Sequence, residues 1–177
     1  MIPFDSLFAG KDLWPMWVAD MDWASPVQVQ EALITRIQHP IFGYTYASDS
    51  VYQAIINWMK EKHKWSLKRE NISFSPGVVP SLAAAVLAFT EAGDQVMIQT
   101  PVYGPFHNVV KSNGRTLVTN RMKITQNQFE IDYEDFENKL RDGVKLFILC
   151  SPHNPGGTVW AKKDLEKMIS LCQHYQV

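Results

Sequence analysis

The sequence predicts an α/β fold, a largely parallel sheet with helices on both faces, preceded by a helical N-terminal segment. Three observations point to it. From Ile72 onward, short β-rich runs alternate with helical patterns: "ISFS", "PSLAAAVLAFTEAG", "QVMIQT", "GPFHNVVKSNG", "RTLVTN", "YEDFENKL", "KLFILCS" and "KKDLEKMISLCQHY". Such alternation feeds right-handed crossovers into parallel pairing. Three polar turns rich in Gly and Pro, "SPGVVPS", "TPVYGPF" and "SPHNPGGT", each follow a strand-like run, which places them together at the carboxyl rim of the sheet. Before about residue 70, in contrast, the apolar spacing is helical.

The N-terminal elements follow from local signals. Ser25-Pro26 reads as a cap followed by a proline at the first helical position, and Val29, Ala32, Leu33 and Ile37 then share one face until His39-Pro40 stops the helix. After "IFGYTYASDS" a second helix is predicted from Ser50 to about Lys64, with Ala54, Ile55, Trp58 and Met59 as its apolar stripe. No repeat or low-complexity linker separates these helices from the alternating part.

Composition excludes several function classes. With 46% hydrophobic and 12% aromatic residues among 177, the chain has the material for an ordinary core. A net charge of -1 gives no electrostatic reason to expect nucleic acid or an acidic membrane. The two cysteines, Cys150 and Cys172, lie in apolar patterns and form neither a zinc motif nor a disulfide framework. A reducing cytoplasm is the expected compartment. The apolar run Ala83–Phe89 is far too short for a membrane span, and the opening "MIPFDSLFAGKD" lacks the pattern of a signal peptide.

The three turns carry the candidate chemistry. The first leads into an alanine-rich helix, so free amides and the positive helix end welcome an anion. It has neither the G-K-[ST] of a P-loop nor a G-x-G-x-x-G spacing. The second holds Tyr103 between Pro101 and Pro105, where its ring can stack on a planar ligand. In the third, Asn154 between Pro152 and Pro155 offers an amide donor to a ligand oxygen. Taken singly, each also reads as plain structure: a capped turn, a core tyrosine, a proline-rich loop. Taken together they fit a phosphate, a flat ring and a ring oxygen, all of which pyridoxal 5′-phosphate has. A cis bond is expected at Asn154-Pro155 or Thr100-Pro101.

"PMWVADMDW" (Pro15–Trp23), "FGYT" (Phe42–Thr45), "FSPGVVPSL" (Phe74–Leu82), "PVYGPF" (Pro101–Phe106) and "ILCSPHNPGGTVW" (Ile148–Trp160) resemble the cystathionine β-lyase, or C–S lyase, branch of the fold-type I pyridoxal-phosphate enzymes. The resemblance implies part of a three-layer αβα large domain, with residues 1–50 as an N-terminal arm or small-domain segment and 51–177 as partial large domain. It implies that the amides of Gly77, Val78 and Val79 hold the cofactor phosphate, Tyr103 stacks on the pyridine, and Asn154 bonds its phenolic oxygen. Tyr44 would reach the phosphate of a neighbouring subunit in a homodimer. Trp17, Ala19 and Asp20 would border the substrate carboxylate. The implied reaction is β-elimination from cystathionine or a related cysteine S-conjugate, giving pyruvate, ammonia and a thiol, and it starts from a lysine Schiff base.

None of the twelve lysines lies in the family's Ser-x-x-Lys context; Lys162, Lys163 and Lys167 read as a solvated helix face. The pyridine-pairing aspartate and carboxylate-binding arginine are also missing. The expectation is therefore an amino-terminal fragment without the catalytic lysine, inactive alone and of poor autonomous stability. Its strand at Ile72–Ser75 would be stranded from the others, leaving Gln95–Gln99, Thr116–Thr119 and Leu146–Cys150 as neighbours. An aminotransferase of the same fold and a non-catalytic homologue acting by dimerisation are the alternatives.

Overall fold

A computed structural model describes Gly10 and residues 21–177, which fall into two compact units that meet in sequence at Arg69/Glu70. In the first, α1 spans Val27–Gln38 and α2 spans Asp49–His63. The cap of α1 is Pro26 rather than the expected Ser25, and no side chain caps it. The Pro26 carbonyl takes the N–H groups of Val29 and Gln30 at 3.0 and 3.2 Å, while Ser25 instead accepts the Gln30 side chain through its carbonyl. At the other end, Arg36 donates to the carbonyls of His39, Ile41 and Phe42 at 2.9–3.3 Å and lies over the Phe42 ring. One cation thus satisfies carbonyls beyond the helix and holds the segment that carries Tyr44.

The stripe of α2 is rotated from its expected position. Tyr52, Ile55, Ile56 and Met59 are half-buried, whereas Ala54 and Trp58 are exposed, Trp58 beneath Lys62 Nζ. Arg69 closes the unit by pairing with Asp49 and covering the Tyr52 ring at 4.2 Å. No described residue of this unit is buried.

The second unit contains α3 (Val78–Phe89), β1 (Gln95–Thr100), α4 (Pro105–Ser112), β2 (Thr116–Arg121), β3 (Lys123–Thr125), β4 (Gln128–Glu130), α5 (Tyr133–Arg141), β5 (Val144–Ile148) and α6 (Lys162–His174). The main sheet has the order β2-β1-β5, parallel throughout, with Gln95 opposite Thr116 on one side and Val144 on the other. These are the three neighbours the sequence predicts. Residues 72–75 form no strand, since a β-run exists through its ladder and this sheet pairs without them. The last strand begins two residues earlier than expected, directly after Gly143 at φ 104°, and stops at Ile148. There the Cys150 carbonyl turns from the ladder to the Trp160 indole N–H at 3.0 Å.

Alternation along β1 divides the core into two layers. Val96 and Ile98 pack with Val86 of α3 and Phe106, Val109 and Val110 of α4. Met97, on the opposite face, packs with Phe136 and Leu140 of α5 and Met168 of α6. Both faces being covered, the centre of the strand, Val96-Met97-Ile98, is apolar on both sides. Helix ends follow their chemistry: Pro105 opens α4, and Asp132 accepts the Asp135 N–H at the start of α5, which carries acids in its first turn and bases in its last. Lys167 lies 3.8 Å from the centre of the Tyr133 ring and so packs rather than simply being solvated.

The hairpin β3–β4 has no counterpart in the sequence reading. Gln126 and Asn127 take positive φ of 51° and 62°, the geometry of a tight two-residue turn, and Ile124 pairs opposite Phe129. Its Ile124 and Phe129 help wall a cleft of about 560 Å³ at the ends of β1 and β2. Among the described residues no helix is long and apolar enough to cross a membrane.

Candidate active site

The crossover β1–α4–β2 leaves by one face of the sheet, and α6, following β5, lies on the other. The chain therefore departs from adjacent strands β1 and β5 in opposite directions, opening a crevice beyond their carboxyl ends. That is the place where open α/β sheets bind ligands. The turns carrying Tyr103 and Asn154 are those that leave these two strands, and they are bonded to each other: the Tyr103 N–H donates to the Asn154 carbonyl at 2.9 Å.

The first turn reaches the same rim through the direction of α3. At its C-terminal end, Thr90 Oγ1 accepts from Arg115 Nε at 2.9 Å, and Arg115 immediately precedes β2. The C-terminus of α3 thus lies at the amino ends of the strands and its N-terminus at their carboxyl ends. The turn is clasped by two hydroxyls, Ser81 Oγ donating to Ser75 Oγ at 2.6 Å, while the Gly77 N–H is 3.4 Å from Ser75 Oγ. No side chain caps α3, its first turn carries no acid, and Pro80 supplies no N–H. Val78 and Val79 therefore present the amide donors of an electropositive helix end.

Tyr103 is 47% exposed, so its ring is available at the rim. Asn154 is exposed, its N–H is held by Cys150 Sγ at 3.3 Å, and its side-chain amide has no hydrogen bond among the described residues. The bonds Thr100-Pro101, Ser151-Pro152 and Asn154-Pro155 are all cis, including both positions singled out from sequence. Tyr44, in the first unit, is fully exposed. Trp17, Ala19 and Asp20 lie outside the described residues.

Two residues of this loop, His153 and Gly156, and one of the hairpin, Phe129, were missed. His153 is 2% exposed, with its ring 6.1 Å from that of Phe129 and 5.8 Å from that of Trp160. Its Nδ1 accepts the Gly156 N–H at 3.2 Å, which puts its proton on Nε2, a buried atom with no partner among the described residues. Phe129 reaches Gly156 closely enough that an added Cβ would lie 2.6 Å from Cδ2. The only sequence signals were a histidine between Pro152 and Asn154 and a glycine after Pro155. Among the described residues no cluster of His, Cys, Asp or Glu suits a metal, and both cysteines are free thiols.

Burial pushes the His153 imidazole below its ordinary value of 6.5. Below that pH the unfolded chain binds a proton that the buried ring refuses, so the unfolded state holds more protons and stability decreases as the pH is lowered. The loss levels off once pH passes the lowered folded value. Urea unfolding of the intact protein is expected to show a lower midpoint at pH 5.5 than at 7.5, and less of that difference in His153→Asn. An unchanged pH dependence in the variant would contradict this.

A profile of the aminotransferase class I and II family matches residues 20–177. The chain is 48% identical over 172 residues to cystathionine beta-lyase PatB of Bacillus subtilis (strain 168), covering 97% of this chain and 44% of that protein. It is 31% identical to protein MalY of Escherichia coli (strain K12), again over 44% of the relative. Among solved structures, the PLP-bound C-S lyase from Staphylococcus hominis superposes with a TM-score of 0.88 at 31% identity, over 99% of this chain and 45% of that one. Cystalysin from Treponema denticola, described with a pyridoxal 5′-phosphate cofactor, gives 0.87 at 30%, over 98% and 46%. The chain thus spans under half the length of these relatives.

Proposed function

Because the chain belongs to the aminotransferase class I and II family, we propose that it is part of a pyridoxal-phosphate-dependent carbon–sulfur β-lyase acting on cystathionine or another cysteine S-conjugate. The proposal takes residues 1–50 as an N-terminal arm or small-domain segment and 51–177 as part of the large domain, with a homodimer as the assembly and the cytoplasm as the compartment. The observation that carries it is the Tyr103 N–H to Asn154 carbonyl bond of 2.9 Å, which sets an available aromatic ring beside an unoccupied amide at the crevice between β1 and β5.

The residues fit the cofactor. Gly77, Val78 and Val79 would hold the phosphate, for which the uncapped end of α3 supplies donors and positive potential. Tyr103 would cover one face of the ring and exclude water from it, and the Asn154 amide would donate to the phenolic oxygen. When bound, the cofactor supplies an electron sink for the carbon that loses its proton. Tyr44 would contact the phosphate across the dimer, and Trp17, Ala19 and Asp20 would border the substrate carboxylate. The Schiff-base lysine is assigned to sequence outside these 177 residues, which by themselves are proposed not to catalyse.

The test is product analysis of the intact protein supplied with cystathionine and pyridoxal 5′-phosphate. Pyruvate and a thiol released in equal amounts, without an added keto acid, are expected. Turnover only when a keto acid is present would instead establish an aminotransferase, which the 30% identity to the aspartate aminotransferase of Sulfolobus acidocaldarius keeps as the second reading.

A further inference from the structure

The Asn154 loop is built around the ring of its neighbour. His153 donates its N–H to the Thr158 carbonyl at 2.8 Å, accepts the Gly157 N–H at 2.7 Å through its carbonyl, and accepts the Gly156 N–H at 3.2 Å through Nδ1. The ring is buried between Phe129 and Trp160, and Trp160 in turn donates to the carbonyl of Cys150, whose sulfur takes the Asn154 N–H. Among the described residues, the His153 Nδ1 bond is the one that takes the Gly156 N–H directly after Asn154-Pro155, while Thr158 Oγ1 donates to the Gly156 carbonyl at 3.4 Å. Without it, the Gly156 amide has no acceptor among the described residues, and the side-chain bonds that remain, the Asn154 N–H to Cys150 Sγ and Thr158 Oγ1 to the Gly156 carbonyl, leave that amide's direction unset.

We propose that His153 is a positioning residue for Asn154: its Nδ1 fixes the Gly156 amide, and through it the path of Asn154-Pro155, so that the asparagine amide is held toward the cofactor. The inference rests on the reading that Asn154 contacts pyridoxal 5′-phosphate. It separates an acceptor role from a packing role, because the two favour opposite replacements. Asparagine keeps an acceptor at the δ position but loses the ring; phenylalanine keeps the ring between Phe129 and Trp160 but has no acceptor.

The experiment measures pyridoxal 5′-phosphate dissociation constants of the intact protein by titrating the bound chromophore, with thermal melts alongside. His153→Asn is expected to bind within a few-fold of wild type while melting lower. His153→Phe is expected to bind about tenfold or more weakly, the scale of loss when a desolvated amide is left without its acceptor. If His153→Phe does not fold, His153→Leu carries the same comparison. In an Asn154→Ala background the phenylalanine change should cost nothing further, since the residue acts through Asn154. The reverse order of affinities, equal affinities, or additive losses in the double variant would overturn the proposal. A wild-type protein that binds no pyridoxal 5′-phosphate would overturn the functional reading itself, so the two failures are distinguishable.

Discussion

Phe136→Ala is expected to lower the unfolding free energy of the intact protein by about 3–5 kcal/mol, the range for deleting a fully buried aromatic ring. Phe136 has no exposed surface, meets Phe147 of β5 edge-on at 5.0 Å between ring centroids, and shares its cluster with Met97, Leu140 and Met168. Its ring therefore joins α5 to two of the three strands. Deletion removes the transfer energy of the ring and leaves a cavity that neighbours from a sheet and two helices cannot easily fill. Urea denaturation followed by tryptophan fluorescence reads the change, Trp160 lying in the same cluster. A loss under about 1 kcal/mol would show that the site collapses around the void and that this layer does not hold the fold.

Gly156→Ala is expected to damage both stability and the rim. The added Cβ would meet Phe129 Cδ2 at 2.6 Å and His153 Nδ1 at 2.8 Å. Neither neighbour moves freely: Phe129 belongs to the hairpin, and the His153 ring is packed against Trp160. Overpacking of this kind costs about 1–3 kcal/mol, and here relief of the clash also requires Nδ1 to leave the Gly156 amide. The expected result is a lowered melting temperature together with weaker pyridoxal 5′-phosphate binding. Gly157→Ala serves as a contrast, since a Cβ there meets nothing within 4 Å and the penalty comes from its φ of +64° alone. Full cofactor affinity in Gly156→Ala would mean that the loop tolerates a shifted His153.

Much of this was legible beforehand. The helices from α3 to α6 and the strands β1 and β2 declared themselves through period and punctuation: glycine, proline or a capping acid marks at least one end of all of them but α6, which apolar period alone reveals. Tyr103 and Asn154 could be singled out for the same reason: prolines on both sides mark a turn whose side chain is meant to be held. The β3–β4 hairpin was not legible, since its turn is Gln126-Asn127 rather than a glycine pair and its strands are three residues each. Residues 72–75 misled in the opposite sense, having β-like composition without a ladder partner to make it a strand. The rotation of the α2 stripe by one position is the ordinary ambiguity of a helix with apolar residues on more than one face.

By itself the sequence determined the layers, the order of elements and the identity of the turns, because these follow from backbone preferences and from apolar periodicity that act over a few residues. Only the tertiary structure decided that the chains leaving the neighbouring strands β1 and β5 depart to opposite faces, and that the turns carrying Tyr103 and Asn154 are joined by a hydrogen bond. It alone also decided that His153 is enclosed by Phe129 and Trp160, residues 24 and 7 positions away. Burial is a property of what surrounds a side chain in space, and no local pattern around a histidine specifies which distant rings will desolvate it.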